Sequence, residues 1–561
     1  MLAAIAIWIE VVVVSKSLRH TLAVVVMAMV AAFSFAIAPG TARATDAGSI
    51  TVDGKVATRY DAYQLFSATV IDDADADQKV ATDITWANDA VRQAVLPVLH
   101  DAGLDSSAST AQEAAEWINA DGHMTTALTA KLARAIVKAG VVPADLNAGT
   151  AAELPCGYWL IVADDDAIAQ DEAGTAPIMA LVGGSAVTVK PKAATPKVAK
   201  HVLEDGTAAW GKAADATVGD DLYWRLSATV PAGLSAYDAY AVQFVDAMSA
   251  GLDPSRVAAS MRVYVAAGAD GGFDAVKTGK GGRAVTEPAK GWTDITAQCK
   301  VSVEGNSFTV RTGDLIAALG GADAFAAGAR VVAVYSAPLG ANCNRGVTKG
   351  NPNEVYLRYP RSPLADQSGD AGFTRTPSDD ATAYTWGLNL IKRSSSDDKP
   401  LADAKLRITD DRGRTLAADG AWTTDADGYV VSGEDGRVEL NGVDAGVYTV
   451  EEVAAPKGYT AFEGKRTVTI AADGLDVKQV AAAKPKVTVS AESPLRVDAA
   501  DAGTGSIELS VLNTPSKEAS RGFMPSTGDR TLVLVAALAV IGVAAIVVAL
   551  VIKRGGGRRD K

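Results

Sequence analysis

The chain has 561 residues, is 48% hydrophobic and 21% charged, and carries a formal net charge of -13 at pH 7. At roughly 150 residues per domain this length makes about three domains once the two hydrophobic ends are set aside. The negative balance argues against a nucleic-acid-binding body, since nothing offsets phosphate repulsion, and three cysteines argue against a disulfide-dense scaffold.

In chain order, "SKSLRHTLAVVVMAMVAAFSFAIAPGTARA" has a basic stretch (Lys16, Arg19, His20), an apolar core and a small-residue ending at Ala44. That is the layout of a secretory signal, so residues 1–44 are expected to be removed and the mature chain to begin near Thr45. The apolar residues ahead of Ser15 place the expected start of translation near Val14. Residues 45–189 mix strand-like runs ("SITVDG", "YDAYQLFSATVI", "YWLIVAD", "TAPIMALV") with two stretches of helical spacing, "NDAVRQAVLPVLHDAG" and "TTALTAKLARAIVKAG", each ending at Gly. This is an α+β domain.

A Lys/Pro-rich joint, "VKPKAATPK", opens a second unit over 190–363. Its short alternating strands, among them "DLYWRLSATVPAG", "RVYVAAG" and "NEVYLRYP", predict a β-sandwich. A polar stretch then leads to a third β unit over 380–515, and 516–561 form a C-terminal signal. Within that signal 531–552 is a chargeless run long enough to span a bilayer, and the basic tail that follows places the body of the chain outside the cell. The expected fold is mainly β: tandem immunoglobulin-like sandwiches, an α+β N-terminal domain and a C-terminal transmembrane helix.

Alternate residues of a strand share a face, so a charge in step with apolar residues is predicted to be buried. In the second unit Lys200 is in phase with Val198 and Val202, Asp246 with Tyr240, Val242, Phe244 and Met248, and Asn353 with Val355, Leu357 and Tyr359. The third unit repeats the set: Lys392 falls with Trp386, Leu388 and Leu390, Glu452 with Tyr448 and Val450, and Asn513 with Ile507, Leu509 and Val511. An unpaired buried charge costs several kcal/mol, so a buried ion pair is the plain alternative, but the same trio occurring twice favours a chemical explanation. A desolvated Lys moves toward the neutral amine and a buried carboxyl toward its protonated form. The acid then polarises the Asn carboxamide, the amine attacks, ammonia leaves and an isopeptide bond remains. Asn351 rivals Asn353 as the electrophile.

"GVYTVEEVAAPKGY" resembles the E-box of Cna B-type domains in Gram-positive pilins, through Tyr448, Glu452, Ala455, Pro456, Gly458 and Tyr459, with Val450 and Val453 replacing the usual Leu and Thr. "DDKPLADAKLRI" and "VLNTP" resemble the opening and closing strands of the same domain. The resemblance implies a Lys392 to Asn513 bond with Glu452 as the acid. "PKVAKHV", "VGDDLYWRLSATVP", "VQFVDAMSAGL" and "GNPNEVYLRY" resemble the isopeptide-forming fimbrial domain of backbone pilins, which implies a Lys200 to Asn353 bond assisted by Asp246. In the first domain only "AYQLF" and "CGYWLIV" echo the family, and no such trio is found.

"SAVTVKPKA" turns its lysines outward, because Val187 and Val189 hold the apolar phase. It resembles the pilin motif whose final Lys accepts the neighbouring subunit, which implies that role for Lys192; Lys190 stands where the family has Tyr and is the runner-up. Met524, Pro525, Ser526, Thr527 and Gly528 resemble the Leu-Pro-x-Thr-Gly sorting signal, with Met for Leu. A sortase would cut between Thr527 and Gly528 and hold Thr527 as a thioester until an amine attacks. The amine of Lys192 would extend a fibre, and a peptidoglycan precursor would fix the chain to the wall.

These readings make the chain a structural subunit of a covalently polymerised pilus, exported and cell-wall anchored, membrane-held only as precursor. The implied partners are pilin-specific and housekeeping sortases, other copies, accessory pilins, peptidoglycan and host surface or matrix ligands, with no nucleic acid and no cofactor. The rival is a single wall-anchored adhesin, or a tip or basal pilin, not polymerised through Lys192. Cys299 and Cys343 share a domain and could pair in an exported protein, with two small core residues as the alternative, which leaves Cys156 odd. Asp73, Asp75 and Asp77 mimic the start of a calcium loop without its Gly or closing Glu, so no metal site is expected. Four His with no Ser/His/Asp or metal-ligand spacing argue against an enzyme acting on external substrates.

Overall fold

The structure, a computed structural model, describes residues 47–516 apart from 55, 74–77, 121, 269–275, 279–283, 289 and 476–484. The expected signal segment 1–44, the motif Met524–Gly528, the 531–552 span, the basic tail, Asp75 and Asp77 all lie outside the described residues. No helix among the described residues is long and apolar enough to cross a membrane.

The chain is mainly β, with the described helical turns concentrated near its beginning. In the first unit the strands Gln78–Trp86, Arg59–Asp73, Gly157–Ala163 and Ile178–Val182 run side by side, and Ala144–Asn147 joins Arg59–Asp73. "GYWLIVA" is buried along its whole length because both faces of its sheet are covered. Tyr158, Leu160 and Val162 face the helices, while Trp159, Ile161 and Ala163 face a small sheet in which Ala47–Val52 lies between Ala152–Pro155 and Val187–Val189.

Helices α1 (Asp89–Asp101) and α3 (Thr126–Lys138) fall where the helical spacing predicts them, capped by Asn88 and Thr125. A helix that the periodicity did not reveal, α2 (Ala111–Asn119), starts at a capping box. Thr110 accepts from the Glu113 backbone N–H and the Glu113 side chain accepts from that of Thr110. Its buried face is mostly alanine (Ala111, Ala114, Ala115), which gives a weak apolar signal.

The second unit is a sandwich. One sheet runs Ala209–Gly211, Lys197–Glu204, Tyr223–Val230, Ala329–Ser336, Arg262–Ala267, Thr293–Asp294. The other runs Ala213–Asp215, Asp379–Tyr384, Asn351–Pro360, Gln243–Met248, Ser307–Arg311, Lys300–Glu304. The polar stretch after Pro363, read as a lead into the third unit, folds back instead. Phe373–Arg375 and Asp379–Tyr384 both pair with Asn351–Pro360. The latter strand buries only the small side chains Ala381 and Ala383 in the core, so its alternation is faint in sequence.

The third unit pairs its first and last strands in parallel: Trp386–Ser394 lies beside Ser506–Pro515, with Lys392 opposite Val511 and Ser394 opposite Asn513. Facing them is a second sheet in which Gly446–Ala454 lies between Lys405–Thr409 and Lys465–Asp473. The core between the sheets is built from Trp386, Leu388, Leu390, Leu406, Ile408, Val450, Val468, Leu509 and Val511.

Candidate functional site: two buried lysine, carboxyl and amide clusters

All six residues marked by strand phase are buried, and each trio forms one cluster. In the second unit Lys200, Asp246 and Asn353 are each 0% exposed. Lys200 stands on one sheet, while Asp246 and Asn353 stand on the other as diagonal neighbours, since Asn353 pairs with Met248. The Lys200 ammonium forms an ion pair with Asp246 Oδ2 and donates to the Tyr335 hydroxyl at 2.9 Å. That hydroxyl donates to Asp246 Oδ2 at 3.1 Å and accepts from Asn353 Nδ2 at 2.9 Å. The Trp224 and Tyr335 rings each lie 5.5 Å from Lys200 Nζ and exclude water around it.

Burial pulls the Lys200 amine down to about 8, against the opposing pull of Asp246. The same burial pushes the Asp246 carboxyl above its ordinary range despite Lys200 and Tyr335. Both partners therefore move toward their neutral forms, which are the amine nucleophile and the acid that aminolysis needs.

Asn351, the rival electrophile, is also buried but occupied elsewhere: it accepts from the Asn344 backbone N–H at 2.9 Å and donates to the carbonyls of Asn344 and Ala383. It ties a loop to its sheet, and Asn353 is the amide that meets the Lys200 cluster.

In the third unit Glu452 reaches across from the facing sheet. Its Oε1 lies 3.1 Å from Lys392 Nζ and accepts from Asn513 Nδ2 at 2.7 Å, while its Oε2 accepts from the Phe462 backbone N–H at 3.1 Å. Lys392 Nζ also donates to Asn513 Oδ1. Burial lowers the Lys392 amine to about 8. A glycine sets the height of Lys392: Gly436 sits at φ +73° and accepts the Lys392 N–H at 2.7 Å, and a Cβ there would stand 2.5 Å from the Lys392 carbonyl.

Lys190 and Lys192 are exposed in the joint between the first two units. Lys190 lies 3.9 Å from Asp53, whereas among the described residues no ion pair holds Lys192. The possible Cys299–Cys343 pair does not form: neither residue is in a disulfide. The reason is geometric. Cys299 precedes Lys300, whose register partners run through Arg311 to Gln243, while Cys343 packs on Gly251, beyond the Met248 end of that strand. Five residue steps at about 3.3 Å separate those ends, well beyond the reach of a disulfide. The Cys299 thiol donates instead to the Ile295 carbonyl. No group of three or more His, Cys, Asp or Glu among the described residues is arranged to hold a metal ion.

Sequence phase gave no hint of Tyr335, because a Tyr in an apolar strand reads as core. Nor did it point to the backbone N–H of Phe462, which belongs to a loop.

The class that fold and clusters define is a multi-domain β-sandwich protein with a lysine, a carboxyl and an asparagine sealed together in two consecutive units. Comparison with known proteins adds that residues 387–484 match the SpaA family of prealbumin-like fold domains. Among solved structures the chain is similar to the T6 backbone pilin of Streptococcus pyogenes serotype M6 (14% identity, 86% of this chain and 100% of that one, TM-score 0.46). It is also similar to the major pilin SpaD of Corynebacterium diphtheriae (14% identity, 84% and 98%, TM-score 0.41). A third is the pilus 2b backbone protein of group B streptococcus (18% identity, 57% and 99%, TM-score 0.37). No curated protein sequence matches the chain.

Proposed function

We propose that the chain is the backbone subunit of a covalently polymerised surface fibre of a Gram-positive bacterium, stiffened from within by two Lys–Asn isopeptide bonds. The observation that carries the reading is the twice-built cluster. A lysine amine lowered to about 8 stands in a sealed pocket with a carboxyl and an asparagine amide, in two consecutive units. The match of 387–484 to a prealbumin-like domain supports it, as does the Met524–Gly528 motif followed by an apolar run and a basic tail.

In each unit Lys Nζ attacks the Asn side-chain carbon, the N–C bond forms, the amide C–N bond breaks and ammonia leaves. Asp246 and Glu452 manage the protons. Tension entering at Lys192 then passes through Lys200–Asn353, the segment 353–392 and Lys392–Asn513 before reaching Thr527, so the strands between Lys200 and Asn353 and between Lys392 and Asn513 are bypassed, while the paired strands within 353–384 stay in the load path. Sortase joins Thr527 of one subunit to Lys192 of the next and finally to peptidoglycan, and the fibre so formed serves attachment to surfaces.

The intact mass of the purified ectodomain tests the internal bonds: it should be short by one ammonia for each, two in all. A full, unmodified mass would overturn both.

A further inference from the structure

We propose that Tyr335 is a catalytic residue of the Lys200–Asn353 cross-link, relaying a proton from the attacking amine to the departing ammonia. This rests on the cross-linking reading above.

A phenol hydroxyl has one proton to donate and two lone pairs to accept with. In Tyr335 all three are engaged, and each with a different participant. It accepts from Lys200 Nζ at 2.9 Å and from Asn353 Nδ2 at 2.9 Å, and it donates to Asp246 Oδ2 at 3.1 Å. Among the described residues it is thus the one atom hydrogen-bonded to nucleophile, acid and leaving group together. Asp246 itself has no hydrogen bond to Asn353, and its Oδ1 and the Asn353 Oδ1 are both buried without a donor.

The third unit explains why a relay is needed here. Glu452 carries one more methylene than Asp246, and its Oε1 touches both Lys392 and Asn513. The shorter Asp246 stops at Lys200, and the Tyr335 hydroxyl spans the remaining gap. Burial and the neighbouring Asp246 hold the phenol in its protonated form.

The protons balance. Lys200 begins as an ammonium beside the Asp246 carboxylate and passes one proton to it. The neutral amine attacks the Asn353 side-chain carbon and forms the new N–C bond. The second proton released by the amine is taken up as Tyr335 hands its own proton to the leaving nitrogen. The C–N bond of Asn353 breaks, ammonia departs and Tyr335 is restored. Asp246 ends protonated beside a neutral amide, so no charge stays buried.

The test is time-resolved. The full chain is made in a pulse of cell-free synthesis, quenched at intervals and digested with trypsin, and the two cross-linked peptide pairs are quantified by mass spectrometry. The Lys392–Asn513 bond serves as a clock within the same molecule. With Tyr335→Phe, which keeps the ring and removes only the hydroxyl, closure of Lys200–Asn353 should slow about 100-fold, the scale of lost proton-transfer catalysis, while the clock is unchanged. Closure at the wild-type rate would overturn the proposal, since a ring needed only for packing is preserved. If Tyr335→Phe does not fold, 3,5-difluorotyrosine in place of Tyr335 lowers the phenol pKa and should displace the pH profile of the second-unit bond alone; an unmoved profile overturns the relay. Absence of both cross-links from the wild-type chain is a separate outcome, which refutes the cross-linking reading and the relay with it.

Discussion

Lys392 and Asn513 are 121 residues apart in sequence, yet the amine of one donates to the side-chain oxygen of the other. They sit on the parallel first and last strands of the third unit, so a bond between them closes nearly the whole domain into a loop. By the loop-entropy relation such a closure stabilises by about 5 kcal/mol at 25 °C. Lys392→Met retains the buried stem and loses the amine. It should lower the unfolding free energy of the third unit by about that amount and leave the second-unit bond intact. Urea titration with tryptophan fluorescence checks the first statement and peptide mapping the second; an unchanged midpoint would show that the unit carries no such loop.

Bond formation should depend on pH. The Lys200 and Lys392 amines are held at about 8 by burial, below their unfolded value. The folded, unlinked chain therefore binds fewer protons than the unfolded chain between about 8 and the ordinary lysine value, and its stability rises with pH across that window. In the second unit the reactive state arises by moving the Lys200 proton to Asp246 with no net proton loss, so closure of Lys200–Asn353 should be nearly level at neutral pH and fall above about 8, where that proton is lost to solvent. Quantifying the Lys200–Asn353 peptide pair after pulsed synthesis between pH 5.5 and 9.5 measures this, and a rate that does not fall above about 8 would exclude the proton transfer to Asp246.

How much of this was legible in the sequence follows from what a strand displays. A charge in step with apolar neighbours is visible at once, which is why Lys200, Asp246, Lys392 and Glu452 could be marked as buried from phase alone. Partners that depend on tertiary placement were not visible. Tyr335 is in phase with its strand's core face and carries no anomaly. The fold-back of Asp379–Tyr384 rests on two alanines. The separation of Cys299 from Cys343 follows from strand register, which residue spacing does not encode. The contact of Asp215 with Asp444 joins residues from different units, where no local pattern could announce it.

The exposed joint yields a sharp contrast between two neighbouring lysines. Both project from the end of the first unit, but Lys190 has the Asp53 carboxylate nearby and Lys192 has no ion-pair partner among the described residues. Lys192→Arg keeps the charge and removes the nucleophile, and should abolish the high-mass, detergent-resistant ladder on immunoblots of cell-wall extracts. Lys190→Arg should leave the ladder as it is. The reverse pattern would transfer the acceptor role to Lys190, and ladders in both variants would move it elsewhere in the chain.

At the seam between the second and third units, the carboxyls of Asp215 and Asp444 lie within hydrogen-bond reach of each other. Each has one buried oxygen with no donor facing it, which a proton shared between them would satisfy. The second Asp215 oxygen accepts from the Trp386 indole and the Ala445 backbone N–H, and the Glu204 carboxylate accepts from the Asp215 N–H at 3.1 Å. Around the pair, Arg412 lies 3.6 Å from Asp444 but is also engaged by Asp205 and Asp220. Arg414 is held by Asp220 and Asp410. Burial pushes Asp215 and Asp444 upward and Glu204 to about 8. A carboxyl raised in the folded state binds its proton there while the unfolded chain has lost it, so its contribution is present at low pH and fades as pH rises toward 8. The seam should accordingly be tighter at pH 5 than at pH 8. Asp444→Asn removes one ionisable group and leaves an amide that can donate to Asp215. It should raise the melting temperature by a few degrees at pH 8 and change it little at pH 5, as followed by scanning calorimetry. Equal shifts at both pH values would mean that the pair does not titrate in this range and that the seam is held by Arg412 and Arg414 instead.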